Sequence, residues 1–199
     1  MKRLFLLTAM VSATLLAGAQ IQFGAKAGLN LSTLHISPSE SGTSFKMEPN
    51  VNAGVLVSIP LTSEFALQPE AIYSGQGTKV SSPDESGHYN LGYINVPVLL
   101  KYKTASGFFA ELGPQIGFLA TAKVKSEGVS VDVKSSFKST DFSGVIGIGY
   151  LSSLNLGVDA RYNLGFSNIV KTTPSDNSSA KNGVIQIGVF YMFGKTKNK

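Results

Sequence analysis

Hydrophobic and polar residues alternate along the segment LNLGVDARYNLGF, residues 154–166. Every second position, from Leu154 to Leu164, is apolar, and the positions between hold Asn, Gly, Asp and Arg. A repeat of two residues is typical of a β-strand with two unlike faces. The repeat returns along the chain, and no segment after residue 20 keeps the 3.6-residue repeat of a helix. The pattern predicts eight strands, over approximately 21–34, 50–61, 65–76, 90–103, 108–122, 141–151, 154–166 and 184–193.

The predicted strands are long, and their connections alternate in length. Most strands cover ten to fourteen residues, more than a usual soluble strand of about 5–6 residues and enough to cross a bilayer at a tilt. Short periplasmic turns and long extracellular loops are typical of outer-membrane barrels. We therefore predict an all-β fold, an eight-stranded antiparallel up-and-down transmembrane β-barrel. The short connections are 62–64, 104–107 and 152–153, and the long ones are 35–49, 77–89, 123–140 and 167–183.

The residues on the two strand faces predict which face meets lipid. One face carries mostly Leu, Ile, Val and Phe, and the other carries Gly, Asn, Gln and charged residues. Because an eight-stranded barrel encloses just enough room for side chains, the bulky apolar face is predicted to point outward.

The charged residues on the inward face predict a buried network of ion pairs and hydrogen bonds. This interpretation is favoured over an ion pathway, since an unpaired charge inside the barrel would be costly. Lys101 and Glu111 flank the 104–107 turn, and we expect them to pair. The six inward charged residues are Lys26, Glu70, Lys101, Glu111, Asp159 and Arg161.

Aromatic residues cluster at the strand ends, where two interfacial girdles of a membrane barrel are expected. One predicted girdle lies beside the termini and the short turns, and the other lies towards the long loops. The first comprises Phe23, Phe65, Tyr102, Phe108, Tyr150 and Phe193, and the second comprises Tyr73, Phe118, Phe142 and Phe166.

Three prolines fall inside predicted strands of the barrel. Pro69, Pro97 and Pro114 cannot donate to a hydrogen-bond ladder, and a closed barrel has no edge strand on which to place them. We expect bulges or locally broken pairing at these positions.

The first twenty residues predict export. Lys2 and Arg3 precede an apolar run over 4–16, and the small residues at 17–19 are typical of a signal-peptidase site. Cleavage near Gln20 leaves 15 basic and 12 acidic residues, a net charge of +3. A pI near 9.3 would suggest nucleic acid as a partner. An exported protein does not meet the cytoplasmic nucleic acids, so the sequence predicts no such partner. The chain has no cysteine, which excludes disulfides, thiolate zinc sites and a lipoprotein-type anchor.

Three strings along the chain carry a family resemblance. FALQPEAIYSGQG (65–77), YINVPVLLKYK (93–103) and FFAELGPQIGFL (108–119) resemble the PorT-like small outer-membrane barrels of Bacteroidetes-type bacteria. The resemblance continues through GVIGIGY and DARYNLGFSNI to the last strand. It implies an eight-stranded barrel in the cell outer membrane. It implies no single activity, since the family ranges from secretion-machinery accessories to barrels of unknown role.

The end of the chain resembles the terminal assembly signal of outer-membrane barrels. In QIGVFYMF (186–193), the resemblance implies that the insertion machinery reads Gln186, Gly188, Tyr191 and Phe193. The sequence thus predicts a signal peptide over 1–19, a barrel over 20–193 and a basic periplasmic tail over 194–199.

The predicted function is that of a non-enzymatic outer-membrane barrel with a filled polar lumen. We expect it to act through its extracellular loops as a structural, adhesive or secretion-accessory component, with outer-membrane lipid around it. A protein partner would dock on the loops or on the tail. Lysines and alternating residues in 123–140 predict that the third hairpin extends beyond the membrane as a β-ribbon.

Two alternatives remain open from the sequence. A lipid-modifying hydrolase would use His35 or His88, which lie in or beside long loops, but no nucleophile elbow supports it. A soluble periplasmic barrel binding an apolar ligand would need an apolar lumen. No pattern predicts a catalytic, metal or cofactor site.

Overall fold

The described part of the chain forms one antiparallel sheet that closes on itself. The computed structural model describes residues 21–37, 44–81, 86–126, 129–171 and 179–194. The predicted signal peptide and all but the first residue of the predicted tail lie outside these ranges. The strands are β1 (Gln22–Ser37), β2 (Ser44–Pro60), β3 (Phe65–Ser81), β4 (Ser86–Lys103), β5 (Phe108–Ser126), β6 (Val129–Asp132), β7 (Thr140–Leu151), β8 (Leu156–Gly165) and β9 (Ser179–Phe193), with one 3₁₀ turn at Lys134–Ser136.

Eight of these strands make the ring. Sequential neighbours pair antiparallel, and β1 closes the ring on β9 from the Phe23–Phe193 pair to the Ser37–Ser179 pair. The short β6 stands outside the ring and pairs with the far end of β5, where β5 extends past its pairing with β7. The predicted barrel is confirmed, and so is the β-ribbon in the third hairpin.

Several strands are longer than the sequence predicted, always on the side of the long loops. β2 begins at residue 44 instead of 50, β4 at 86 instead of 90 and β9 at 179 instead of 184, while β3 and β5 run to 81 and 126. The prediction of loops over most of 35–49 and 77–89 was therefore wrong. Polar side chains such as Lys79 occupy outward positions in these extensions, so the apolar repeat ends there while the ladder continues.

Side chains divide between the two faces of the barrel as the sequence predicted. Along β8, exposed and buried residues alternate without a break, with Val158 50% exposed and Asp159 4% exposed. The outward face is apolar, with Ile146, Ile148 and Leu112 each at least 60% exposed. An exposed apolar band of this size is typical of a surface that meets lipid.

The aromatic residues of both predicted girdles are exposed on the outer face. Several pair across strands: the ring centroids of Phe65 and Tyr102 are 5.1 Å apart, and those of Phe108 and Tyr150 are 5.0 Å apart. Such tilted pairs add to the stability of neighbouring strands.

The prolines interrupt pairing without shifting it. Between β3 and β4 the paired residues run to Pro69 and resume at Ile72 in the same register, and between β4 and β5 they run to Pro97 and resume at Leu100. The expected local break is confirmed. The two register shifts instead lie nearer the long loops, between Met47 and Asn52 on β2 and at Gly92/Tyr93 on β4.

Tight turns close the opposite end of the barrel. In the β4–β5 turn Gly107 has φ +96°, and in the β7–β8 turn Asn155 has φ +63°, a region that glycine and asparagine adopt most readily. Among the described residues, no helix is long and apolar enough to cross a membrane.

Candidate functional site: the closed lumen

The guanidinium of Arg161 is the centre of the lumen. It donates from Nη1 and Nη2 to the two carboxylate oxygens of Glu70, both at 2.7 Å, and from Nε to Glu111 at 2.6 Å. Gln68 also donates to Glu70, at 2.5 Å. A planar fork that binds a carboxylate through two bonds is the arrangement for which arginine is suited.

Two lysines complete the ionic network. Lys26 Nζ lies 2.5 Å from Asp159 Oδ2, and Lys101 Nζ lies 3.5 Å from Glu111 Oε2. Lys101 also sits 3.9 Å from the centroid of the Phe109 ring, where a cation is attracted by the ring face. The network contains three cations and three carboxylates, so it carries no net charge, and each of the six residues is at most 7% exposed.

Two glycines let these side chains cross the intervening strands. Arg161 on β8 and Glu111 on β5 are both register partners of Gly147 on β7. A Cβ added at Gly147 would lie 2.8 Å from Arg161 Cγ, and one at Gly188 would lie 2.8 Å from Lys26 Cε. Both distances are shorter than ordinary Cβ contacts. Arg161 Cγ lies near its backbone and has little room to move, so the contact between Arg161 and Glu111 depends on Gly147. Lys26 Cε lies near the end of a flexible side chain and could shift away from a side chain at position 188.

A layer of neutral polar side chains lies beside the ionic network. Asn30 accepts from Asn52 at 2.8 Å and from Gln186 at 3.1 Å, and it donates to Ser74 at 2.9 Å. These buried side chains, three amides and one hydroxyl, hydrogen-bond one another across β9, β1, β2 and β3, which satisfies much of the polar surface that burial would otherwise penalise.

Apolar clusters occupy both ends of the lumen. At the end with the short turns, Leu56, Phe109, Phe190 and Met192 pack together. At the end with the long loops, a larger buried cluster contains Leu34, Leu91, Tyr93, Leu119, Ala122, Phe137, Ile169 and Ala180. The lumen is therefore polar in its middle and apolar at its ends, whereas the sequence predicted a polar filling throughout.

Two residues of this larger cluster come from loops that fold over the barrel mouth. Phe137 is 6% exposed and Ile169 is fully buried. The loops are held by backbone hydrogen bonds from Lys138 N to Ile169 O at 2.7 Å and from Ile169 N to Ala180 O at 2.9 Å. Side chains from the loops thus cover the lumen on this side.

All six inward charged residues predicted from the sequence belong to this one network. Lys101 and Glu111, which the sequence predicted to pair, are direct register partners, with Lys101 Nζ 3.5 Å from Glu111 Oε2. The residues that sequence reasoning missed are of two kinds. Asn30, Asn52 and Ser74 share the inward parity and could have been found from it, whereas Phe137 and Ile169 lie in loops and follow no periodicity.

The residues of the predicted assembly signal lie on both faces of β9. Gln186 and Gly188 point into the lumen, where Gln186 bonds to Asn30. Tyr191 and Phe193 are exposed on the outer face, with ring centroids 5.5 Å apart. These residues therefore take part in the structure of the barrel, independently of any role as an assembly signal.

The two histidines lie apart in the ring, on β1 and β4. His88 Nδ1 is 2.9 Å from Glu48 Oε1 on the outer surface, and His35 lies beside Gly183. In the described ranges no group of three or more acidic, histidine or cysteine residues is placed to hold a metal ion. Nothing in this geometry favours the hydrolase alternative.

Replacing Glu111 by leucine is expected to lower the free energy of unfolding by about 1.5–3 kcal/mol, because Lys101 and the Arg161 Nε would each lose a charged partner. Arg161 keeps Glu70 and Lys101 keeps its aromatic neighbours, which limits the loss. Urea unfolding in detergent measures the change. The same substitution at Glu64, exposed in the β2–β3 turn, is the control, and an unchanged midpoint for Glu111→Leu would contradict the pairing.

A closed ring of antiparallel strands, with an apolar aromatic-edged outer face and a polar interior, defines the class of integral outer-membrane β-barrels. A family model described as "Outer membrane protein beta-barrel domain" matches residues 12–171. The chain belongs to this family and lies in the outer-membrane bilayer.

One solved structure supports the fold, and two others are reported for comparison. Neisserial surface protein A matches with 16% identity and a TM-score of 0.57, over 86% of this chain and 97% of that one. OprG from Pseudomonas aeruginosa (14%, 86% and 95%, TM-score 0.49) and Ail from Yersinia pestis (15%, 86% and 98%, TM-score 0.48) are more distant in shape. No curated protein sequence matches the chain.

Proposed function

We propose that this protein is a closed, non-conducting and non-enzymatic outer-membrane barrel that acts at the cell surface. It would serve as a structural, adhesive or secretion-accessory component through its extracellular loops. The observation that carries this proposal is the filled lumen, with apolar clusters at both ends of a neutral ionic network. An eight-stranded barrel filled in this way leaves its outer surfaces for function.

The extracellular side offers the surface for such a role. β1–β5 and β9 continue beyond the apolar band, and the β5–β6 ribbon extends further with Val129 and Val131 exposed. Loops positioned on a rigid barrel commonly carry binding function. In this proposal the basic tail is a second docking segment, on the periplasmic side.

The export and assembly of the protein are part of the proposal. A cleaved signal peptide over 1–19 would deliver the chain to the periplasm, and the insertion machinery would read Gln186, Gly188, Tyr191 and Phe193. The resemblance to PorT-like barrels supports membership in that smaller group, and with it a secretion-accessory role. N-terminal sequencing of the protein from outer membranes tests the cleavage near Gln20.

Conductance across planar bilayers tests the closed lumen. We expect the purified barrel to add no discrete current steps, because Phe137 and Ile169 cover one end and the Phe109 cluster fills the other. Channel-forming porin in the same bilayers is the positive control. Reproducible steps from the barrel would contradict the proposal.

Crosslinking in intact cells, followed by affinity purification of the tagged barrel, tests for a partner. A stoichiometric protein partner crosslinked to the loops or the tail supports the accessory role. Recovery of the barrel without one, together with no change in cell adhesion or envelope integrity on deletion, would contradict the proposed role at the surface.

A further inference from the structure

Four basic side chains stand in one row across β2, β3, β4 and β5. Lys46 is the register partner of Lys79, Lys79 of His88, and His88 of Lys125. Since neighbouring strands are about 4.8 Å apart, the row spans about 14 Å. Direct register partners share one face of the sheet, so all four side chains lie on the same side of the wall.

The row faces outward. Thr78, the neighbour of Lys79 on β3, is fully buried in the interior, whereas Lys79, Lys46 and Lys125 are exposed. In the described ranges the one ionic contact within the row is that of His88 with Glu48. Asp84, Glu85 and Glu127 lie outside those ranges.

Like charges opposite one another destabilise a ladder. Lys46 and Lys79 form such a pair. His88, the next partner, is charged only when protonated, and the Glu48 carboxylate bonded to it supplies one negative charge beside the row. The three lysines extend from the exposed outer face of the sheet, so the packing of the barrel does not require their charges. An anionic ligand that spans the row would relieve the repulsion between its lysines.

The position of the row indicates the source of that ligand. Along β3, Lys79 lies six residues beyond the girdle residue Tyr73, which is about 20 Å along the strand. With the usual strand tilt, this places the row roughly 15 Å above the apolar band. The row lies on the same outer face of β2–β5 that meets lipid nearer the middle of the barrel. Its side chains therefore point sideways into the saccharide layer of the membrane and not upward into the medium.

We propose that the row formed by Lys46, Lys79, His88 and Lys125 binds the phosphate-bearing saccharide headgroups of the outer-leaflet glycolipid. The site goes beyond the loop-mediated role proposed above. It orients the barrel in its membrane and holds an ordered glycolipid against β2–β5.

The test uses the full-length mature barrel in nanodiscs of zwitterionic phospholipid doped with phosphorylated lipopolysaccharide. Bound lipopolysaccharide is counted by native mass spectrometry after detergent extraction, for the natural chain and for Lys79→Gln/Lys125→Gln. The control is Lys138→Gln/Lys181→Gln, which removes two exposed lysines at the same end of the barrel, where the long loops lie, but outside the row. A gel-mobility assay on heating verifies that each variant is folded.

We expect the Lys79→Gln/Lys125→Gln variant to bind the glycolipid about tenfold or more weakly, with the control variant unchanged and the difference shrinking at high salt. Dephosphorylated lipopolysaccharide should bind the natural chain as weakly as the row variant binds the phosphorylated form. Equal losses in the two variants, or no loss in either, would overturn the proposal. Binding of free dextran sulfate without retention of lipopolysaccharide would overturn the membrane source of the ligand.

Discussion

Replacing Arg161 by methionine is expected to lower the free energy of unfolding by about 3–5 kcal/mol, because the substitution leaves the Glu70 carboxylate buried without its cation. Glu111 loses its 2.6 Å bond at the same time. Methionine fills a similar volume, so the loss reports charge and hydrogen bonding more than packing. Equilibrium urea unfolding of the barrel in lipid vesicles measures it.

A second substitution separates the electrostatic cause from a packing cause. Glu70→Gln in the Arg161→Met background restores the charge balance of the lumen. We expect the double variant to be less destabilised than the sum of the single changes, with a coupling of about 1 kcal/mol or more. Additive effects would contradict the network as described.

Replacing Ile146 by arginine is expected to lower the free energy of unfolding of the barrel in the membrane by about 2–4 kcal/mol. This is the range for a cation at the bilayer midplane on the lipid face of a barrel. Ile146 is 63% exposed and lies midway along β7 between the girdle residues Phe142 and Tyr150. Its register partners, Leu112 and Tyr162, are also exposed. Folding into vesicles across a urea series gives the cost.

Two further positions turn this experiment into a measurement of depth. The sequence alone predicts that Val158→Arg destabilises the folded barrel by the same roughly 2–4 kcal/mol if the position is near the midplane. The structure pairs Val158 with Tyr150, which belongs to the girdle beside the short turns, so the cost of arginine at position 158 should fall to about 1 kcal/mol. Leu154→Arg in the β7–β8 turn should be nearly neutral. A cost that does not follow this order would contradict the assigned membrane position.

The alternation of apolar and polar residues in the membrane-spanning part of the chain predicts most of the fold. In β8 the lipid face and the lumen face could be assigned residue by residue, and both faces are as predicted. The pairing of Lys101 with Glu111 also followed from sequence, because a short turn fixes which residues of two strands face each other.

Outside the apolar band the sequence is less informative. The extensions of β2 and β4 carry polar residues on their outward face, so no hydrophobic repeat distinguishes them from loops. The positions of Phe137 and Ile169 depend on how two loops fold over the barrel mouth, which is a long-range packing outcome. The ion pair of Lys26 with Asp159 joins residues that are far apart in sequence, and only closure of β1 on β9 brings them together.

Oxygen accessibility of single spin labels along β8 tests the central claim, that the apolar face meets lipid and the polar face fills the lumen. The chain has no cysteine, so one cysteine at each position from 157 to 164 can be labelled in turn without removing any other. In vesicles, labels at even positions should be reached readily by lipid-soluble oxygen, and labels at 159, 161 and 163 should be protected. Accessibility that peaks at the odd positions, or that shows no period of two, would contradict the account.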